Sequence, residues 1–266
     1  MTITQKIAQL LERGDVGVVV TVARGANAGA KLLVDEAANL TGSLGDAELD
    51  SLVAAQALQF LQTRDETKLA SLKDFATDFS SADEIFLLFE RLQPAPRLVV
   101  CGAGHVGAAL AKLGALLGYQ TTLVDDRADF LAPDRFAGEA IELVIARDWT
   151  SAVRDVVGNG RGVSVAVVTR GHSEDEQCMR AVVQAQPDYM GLIGSKRRTT
   201  IVIDRLREAG ADEAELRKIR APIGLDIGAV SPEEVALAIM AEIVAERHGA
   251  AGGSLSAWRR PTDKHR

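Results

Sequence analysis

Leu98-Val-Val-Cys-Gly102-Ala-Gly104-His105-Val106-Gly107 decides the fold of this chain. Four apolar residues form a short buried strand, glycines follow it without a spacer, and Ala108-Ala-Leu-Ala continues as a helix. Glycines spaced G-x-G-x-x-G at a strand-to-helix junction are the dinucleotide-type fingerprint. Gly102 permits the tight turn, Gly104 lets backbone N–H groups approach a phosphate, and Gly107 lets the helix pack on the strand. A pyrophosphate would sit on the helix N-terminus, where free N–H groups and the helix dipole favour an anion, with Val106 inside the same turn. His105 either donates to that phosphate or faces solvent. Asp125 stands 23 residues after Gly102, at the end of a second apolar run from Thr121. There Asp125 or Asp126 takes a ribose hydroxyl pair, and Arg127 beside them offsets the acids if a 2′-phosphate is bound instead. NAD, NADP or a different ligand on the same scaffold all remain open, because fold does not fix function.

Outward from this loop, strands and helices alternate. Strands are expected at Leu98–Cys101, Thr121–Asp125, Leu143–Ala146, Val163–Thr169 and Tyr189–Ile193, with helices at His105–Gly118, Trp149–Val157, Glu174–Ala185 and Lys196–Ala209. That order with short loops is a parallel sheet covered on both faces. Ser231-Pro-Glu-Glu234 opens a last, mostly buried helix with a capping box and a first-turn proline. The expected fold class is α/β, a C-terminal Rossmann-like parallel-sheet domain over 95–249 with a smaller N-terminal α+β domain over 1–94. The boundary falls at the stiff Pro94-Ala-Pro96 connector. In the first domain a helix over Thr4–Glu12 leads to strands Val16–Ala23, Lys31–Asp35 and Leu40–Leu44, read as a small antiparallel hairpin. A helix over Ala47–Gln62 and a strand over Ile85–Leu92 follow. Residues 250–266, Gly/Ser-rich and then basic, are expected to form a flexible tail.

A second glycine and cation cluster lies at the same sheet edge. Thr169-Arg-Gly-His172 ends one strand and Gly191-Leu-Ile-Gly194-Ser195 ends the next, after which Lys196, Arg197 and Arg198 start a helix. Cations there oppose the helix dipole, so they either hold a phosphate together with Ser195, Gly194 and His172 or form a solvated basic face. Arg220-Ala-Pro-Ile-Gly224-Leu-Asp-Ile-Gly228 reads as a rigid loop packed across the sheet edge.

Composition narrows the function classes. Of 266 residues, 30 are Lys or Arg against 37 Asp or Glu, a net charge of −7, which argues against a nucleic-acid partner. No apolar stretch approaches the roughly 18 residues of a membrane span, and charged residues from Lys6 to Asp15 do not suit a secretory signal, so a cytoplasmic location is expected. Cys101 and Cys178 form neither a disulfide framework nor a thiolate metal site, so no metal ligands are assigned. No proton donor with a partner declares itself beside the sheet edge, and no catalytic residue is assigned.

Together, Glu90-Arg-Leu-Gln-Pro-Ala-Pro-Arg-Leu98, Cys101–Gly107, Val124-Asp-Asp-Arg127, Gly191–Ser195 with its Lys-Arg-Arg, Arg220–Ala229 and Ser231–Gly249 resemble the XdhC/CoxI family. These are accessory proteins of xanthine and carbon monoxide dehydrogenases, and the resemblance runs from about Ile85 to Gly249. It implies a role in holding the molybdenum cofactor (molybdopterin), presenting it to a cysteine desulfurase and inserting it into a molybdenum hydroxylase, with no turnover of its own and an assembly open to homodimers. Where the family carries a Gly-Gly-Cys-Val-Glu continuation, Gly42-Ser-Leu-Gly45 runs into Asp46-Ala-Glu48, so no thiolate is supplied here. The alternatives are an NAD(P)-dependent oxidoreductase, which the fingerprint suggests, and a nucleotide-sensing interaction module without cofactor handling, which the missing cysteine suggests.

Overall fold

The computed structural model describes residues 2–63, 65–76 and 85–256. The chain divides into two compact units, Met1–Pro94 and Ala95–Arg266. Of the expected tail, residues 257–266 lie outside the described residues; residues 250–256 carry no regular structure.

The first unit contains α1 (Ile3–Glu12), β1 (Gly17–Arg24), β2 (Lys31–Asp35), β3 (Leu40–Ser43), α2 (Ala47–Leu61), β4 (Thr67–Ser71) and β5 (Phe86–Leu92). All five strands join one antiparallel sheet in the order β3-β2-β1-β5-β4. The expected hairpin is therefore only part of a larger sheet. β1 is central, so its Val18-Val-Val run is apolar on both faces. Val18, Val20, Leu32 and Val34 pack towards Val53, Ala57 and Phe60 of α2, while Val19 and Leu33 meet Leu10 of α1. β4 gave no sequence signal: Thr67, Lys68 and Leu69 are exposed, and only Ala70 and Ser71 are buried.

The second unit contains β6 (Arg97–Cys101), α3 (His105–Leu116), β7 (Gln120–Asp125), β8 (Ile141–Ile145), α4 (Trp149–Val157), β9 (Val163–Val167), α5 (His172–Ala185), β10 (Tyr189–Leu192), α6 (Lys196–Glu208), α7 (Glu213–Leu216) and α8 (Pro232–Arg247). Its strands are all parallel, in the order β10-β9-β6-β7-β8. This is the doubly wound arrangement, and the order reverses between β6 and β9, where ligands of such sheets bind. Leu110 and Ala111 of α3 share one core with Ile239 and Ile243 of α8; Val153 of α4, Cys178 and Val182 of α5 and Val202 of α6 share the other. The crossover from β7 to β8 runs through two 3-10 turns, Ala128–Leu131 and Pro133–Phe136.

The Arg220–Gly228 loop extends the sheet beyond β10. Leu192 donates its N–H to the Arg220 carbonyl, and the Arg220 N–H reaches the Met190 carbonyl. The Tyr189 hydroxyl donates to Glu242 Oε2 at 2.5 Å, and the Gly224 N–H donates to the same oxygen at 2.8 Å, tying the loop to α8. Burial, and then this hydrogen bond, push the Tyr189 hydroxyl far above the ordinary phenol range. Ala236, Ala238, Ile239, Met240 and Ile243 of α8 are buried, whereas Leu237 is 52% exposed.

Candidate functional site

The fingerprint loop separates into glycines that the fold requires and one that it does not. Gly102 has φ +113°, and a Cβ there would stand 2.7 Å from the Val168 carbonyl oxygen. At Gly107 a Cβ would stand 1.7 Å from the Gly102 carbonyl oxygen, so the strand and helix could not close. Gly104 is different. Its φ is −64°, which any residue adopts, and a Cβ there meets nothing within 4 Å.

Helix capping singles out the same place. Side chains of Thr2, Asp46, Asp148, Ser195, Asp212 and Ser231 accept hydrogen bonds at the starts of α1, α2, α4, α6, α7 and α8. Among the described residues, α3 and α5 begin at Gly104 and Gly171 with no side-chain cap. Both start beyond β6 and β9, the two strands flanking the switch point. Their first-turn N–H groups have no side-chain acceptor and carry the positive end of the helix dipole. His105 opens α3 and His172 opens α5, and both are exposed. Placing His172 inside α5 extends that helix two residues before its expected start.

The acids at the end of β7 are fully engaged. Asp125, 1% exposed, accepts from the Ala103 N–H at 2.6 Å and from the Arg127 N–H, Nε and Nη2, each at 2.9 Å. Burial raises its pKa, but the Arg127 side chain and the two backbone N–H groups more than reverse this and hold the carboxyl below its usual range. The Arg127 guanidinium lies 3.6 Å from the Phe130 ring centroid. Asp126 pairs two-pronged with Arg170 at 2.8 Å for each contact, and Arg170 also lies 3.3 Å from Glu174.

On the β10 side, Gly194 has φ +145° and Ser195 caps α6 through the Arg198 N–H at 3.3 Å. Lys196 and Arg197 are exposed on the first turn. Arg198 does not join them, which corrects the expectation of a three-cation phosphate grip. Its guanidinium turns inward to Asp175 Oδ2, at 2.8 Å from Nε and 2.5 Å from Nη2, and Nη2 reaches the Thr169 carbonyl. Asp175 is fully buried and also accepts from the Thr169 hydroxyl at 2.6 Å. Burial is the largest influence on this carboxyl and leaves its pKa above the usual range. Sequence reading missed Asp175 because it lies in the first turn of an ordinary polar helix; its link to Arg198 emerges only once β9 and β10 are known to be neighbours.

Cys101 and Cys178 are both free and buried, and burial together with a hydrogen bond to Cys101 raises the Cys178 thiol well above its usual range. Among the described residues no three His, Cys, Asp or Glu side chains gather to hold a metal ion, and no helix is long and apolar enough to cross a membrane.

Comparison with known proteins places this architecture. The XdhC Rossmann domain matches residues 98–243, and the XdhC and CoxI family matches residues 10–72. The chain belongs to the XdhC family. The XdhC relatives include the uncharacterised protein YqeB of Escherichia coli, 28% identical over 84% of this chain and 41% of its own length. A probable xanthine dehydrogenase subunit of Bacillus subtilis is 27% identical over 60% of this chain and 46% of its own. The molybdenum cofactor insertion chaperone PaoD of E. coli is 26% identical over 58% of this chain and 41% of its own. This XdhC chain thus spans less than half the length of the curated relatives it matches. A solved structure described as a xanthine dehydrogenase from Bacillus halodurans shares the fold, with a TM-score of 0.52 and 17% identity, covering 97% of this chain and 99% of that one.

Proposed function

We propose that this chain is an accessory protein of a molybdenum hydroxylase, which holds a phosphorylated pterin, the molybdenum cofactor, by its phosphate at the switch point and passes it on without turnover of its own. A cysteine desulfurase and the hydroxylase are the partners this role requires. The relatives named as a cofactor insertion chaperone and a probable xanthine dehydrogenase component support the reading. The observation that carries it is the pair of uncapped helix starts beyond the two strands that flank the switch point, one of them at a glycine where an added Cβ would meet nothing within 4 Å. A phosphate at the start of α3 would cap that helix and fill the space at Gly104. His105 and His172 stand beside it as donors, with Val106 supplying a further first-turn N–H. Lys196 and Arg197 add charge from the next strand end, beside Gly194 and the Ser195 hydroxyl.

The bound cofactor would supply molybdenum and sulfur redox chemistry to the client enzyme. This chain's residues bind and orient its phosphate. An NAD-dependent oxidoreductase is the less favoured reading, because Asp125, the carboxylate that would take its ribose diol, already accepts from Arg127 and the Ala103 N–H. The test is equilibrium binding of a pterin monophosphate to the whole chain and to Gly104→Val. Loss of binding in a folded Gly104→Val protein is expected, and equal affinity in the two proteins contradicts the assignment.

A further inference from the structure

Three arginines at the C-terminal edge of the parallel sheet each meet a carboxylate, on different terms. Arg127 rests on Asp125, which is buried, and Arg198 on Asp175, which is fully buried. Releasing either guanidinium would strand a buried charge. Arg170 rests on Asp126, whose side chain is 28% exposed, and its own is 45% exposed. An ion pair so open to water contributes little to stability and exchanges partners readily. The pair also spans the site. Asp126 follows β7 and Arg170 follows β9, and β6 lies between those two strands. Strands two places apart in a sheet stand roughly 10 Å from one another. The two-pronged contact, Nη1 to Oδ1 and Nη2 to Oδ2 at 2.8 Å each, therefore crosses the head of β6, where the Gly102–Gly107 loop leaves the sheet. Arg170 directly precedes Gly171, the uncapped start of α5, so one guanidinium is tethered at one uncapped helix start and drawn across the strand end that leads to the other.

We propose that Arg170 is a phosphate-binding residue of this edge, held across the glycine loop by Asp126 until a phosphate takes the carboxylate's place. The proposal rests on the reading of the edge as a phosphate site and deepens it, by adding a ligand group and a strap that binding opens. A phosphate offers the planar guanidinium the same two-pronged contact as the carboxylate, with more negative charge. Displaced Asp126 keeps a partner and its hydration, since Arg127 Nε already lies 3.8 Å from its Oδ1 and solvent reaches the side chain. Glu174, 3.3 Å from Arg170, stays beside the guanidinium through the exchange.

The probe is inorganic phosphate, titrated into the full chain while NMR follows the backbone N–H signals of Gly104 to Gly107 and the side-chain Nε–H signal of Arg170. The expected result is that both move with one midpoint. Arg170→Gln should bind phosphate at least about tenfold more weakly than the native chain, the order expected for loss of one charged hydrogen bond or more. Asp126→Asn should bind it about threefold more tightly than Asp129→Asn, which removes the same charge from the following turn and leaves the strap in place. All three side chains reach solvent, so the variants are expected to fold. An Arg170 signal that stays still while the loop signals move overturns the proposal. So does a folded Arg170→Gln protein that binds as the native chain does, an Asp126→Asn protein that binds no more tightly than Asp129→Asn, or no response to phosphate at tens of millimolar. Each of these leaves the pterin reading standing, since that reading falls on a different result, equal binding of pterin monophosphate by the native chain and Gly104→Val.

Discussion

At Gly104 a valine fits the unliganded backbone, since φ is −64° and no atom lies within 4 Å of the new Cβ. Gly104→Val should therefore melt within about 1 °C of the native chain while losing its anionic ligand, a combination that thermal melts and a binding titration check together. Gly107→Ala should behave in the opposite way, because the added carbon strikes the Gly102 carbonyl and must force strand and helix apart. The cations after Ser195 divide likewise. Replacing Arg198 by Gln strips a buried carboxylate of its partner, and denaturant unfolding should show a loss of about 3 kcal/mol. Lys196→Gln/Arg197→Gln should leave stability within about 0.5 kcal/mol or raise it slightly, since both charges oppose the helix dipole. Asp125 adds a pH signature. Its folded pKa lies below its unfolded one, so its contribution is present at neutral pH and is lost as the pH falls through the carboxylate range. Asp125→Asn should thus cost about 3 kcal/mol near pH 7, and less at about pH 3, in urea midpoints read at both values. Asp175, whose pKa is shifted upward, slopes the other way but is common to both proteins and cancels in the difference. At this scale the sequence showed the glycines and charges plainly. Which charge met which was hidden, because Asp125–Arg127 and Asp175–Arg198 depend on side-chain directions at strand ends that spacing does not encode.

Among the elements, β6, β7, β9 and β10 of the parallel sheet were readable because burial makes them short apolar runs between turn residues, whereas the edge strand β8, with Glu142 and Ile145 exposed, was read as beginning two residues late. β4 was not readable, since it pairs only with β5 at the margin of its sheet and leaves most of its length in solvent. The last helix announces itself by its capping box, in which the Ser231 hydroxyl accepts from the Glu234 N–H and the Glu234 carboxylate accepts from the Ser231 N–H. Ser231→Ala should lower stability by about 1 kcal/mol, measured by chemical denaturation. The uncapped starts of α3 and α5 could not be recognised from glycines alone, because glycine is itself tolerated at the N-cap. Their contrast with six capped helices appears only when all the helix starts are compared.

For the whole molecule, family membership covers both units, and the doubly wound sheet puts its glycine loop, both uncapped helices and the exposed Lys196–Arg197 pair at strand C-termini. A ligand held mainly by charge at such an edge should bind more weakly as salt is added, and the slope should flatten in Lys196→Gln/Arg197→Gln. The central claim is that the chain carries a phosphorylated pterin rather than working as a nicotinamide enzyme. Native mass spectrometry of the protein purified without added ligand, from cells that make the molybdenum cofactor, tests it most directly. The expected result is a bound species with the mass of a pterin phosphate, absent from Gly104→Val prepared in the same way. A bound nicotinamide dinucleotide in its place, or a pterin retained equally by the Gly104→Val protein, would contradict it.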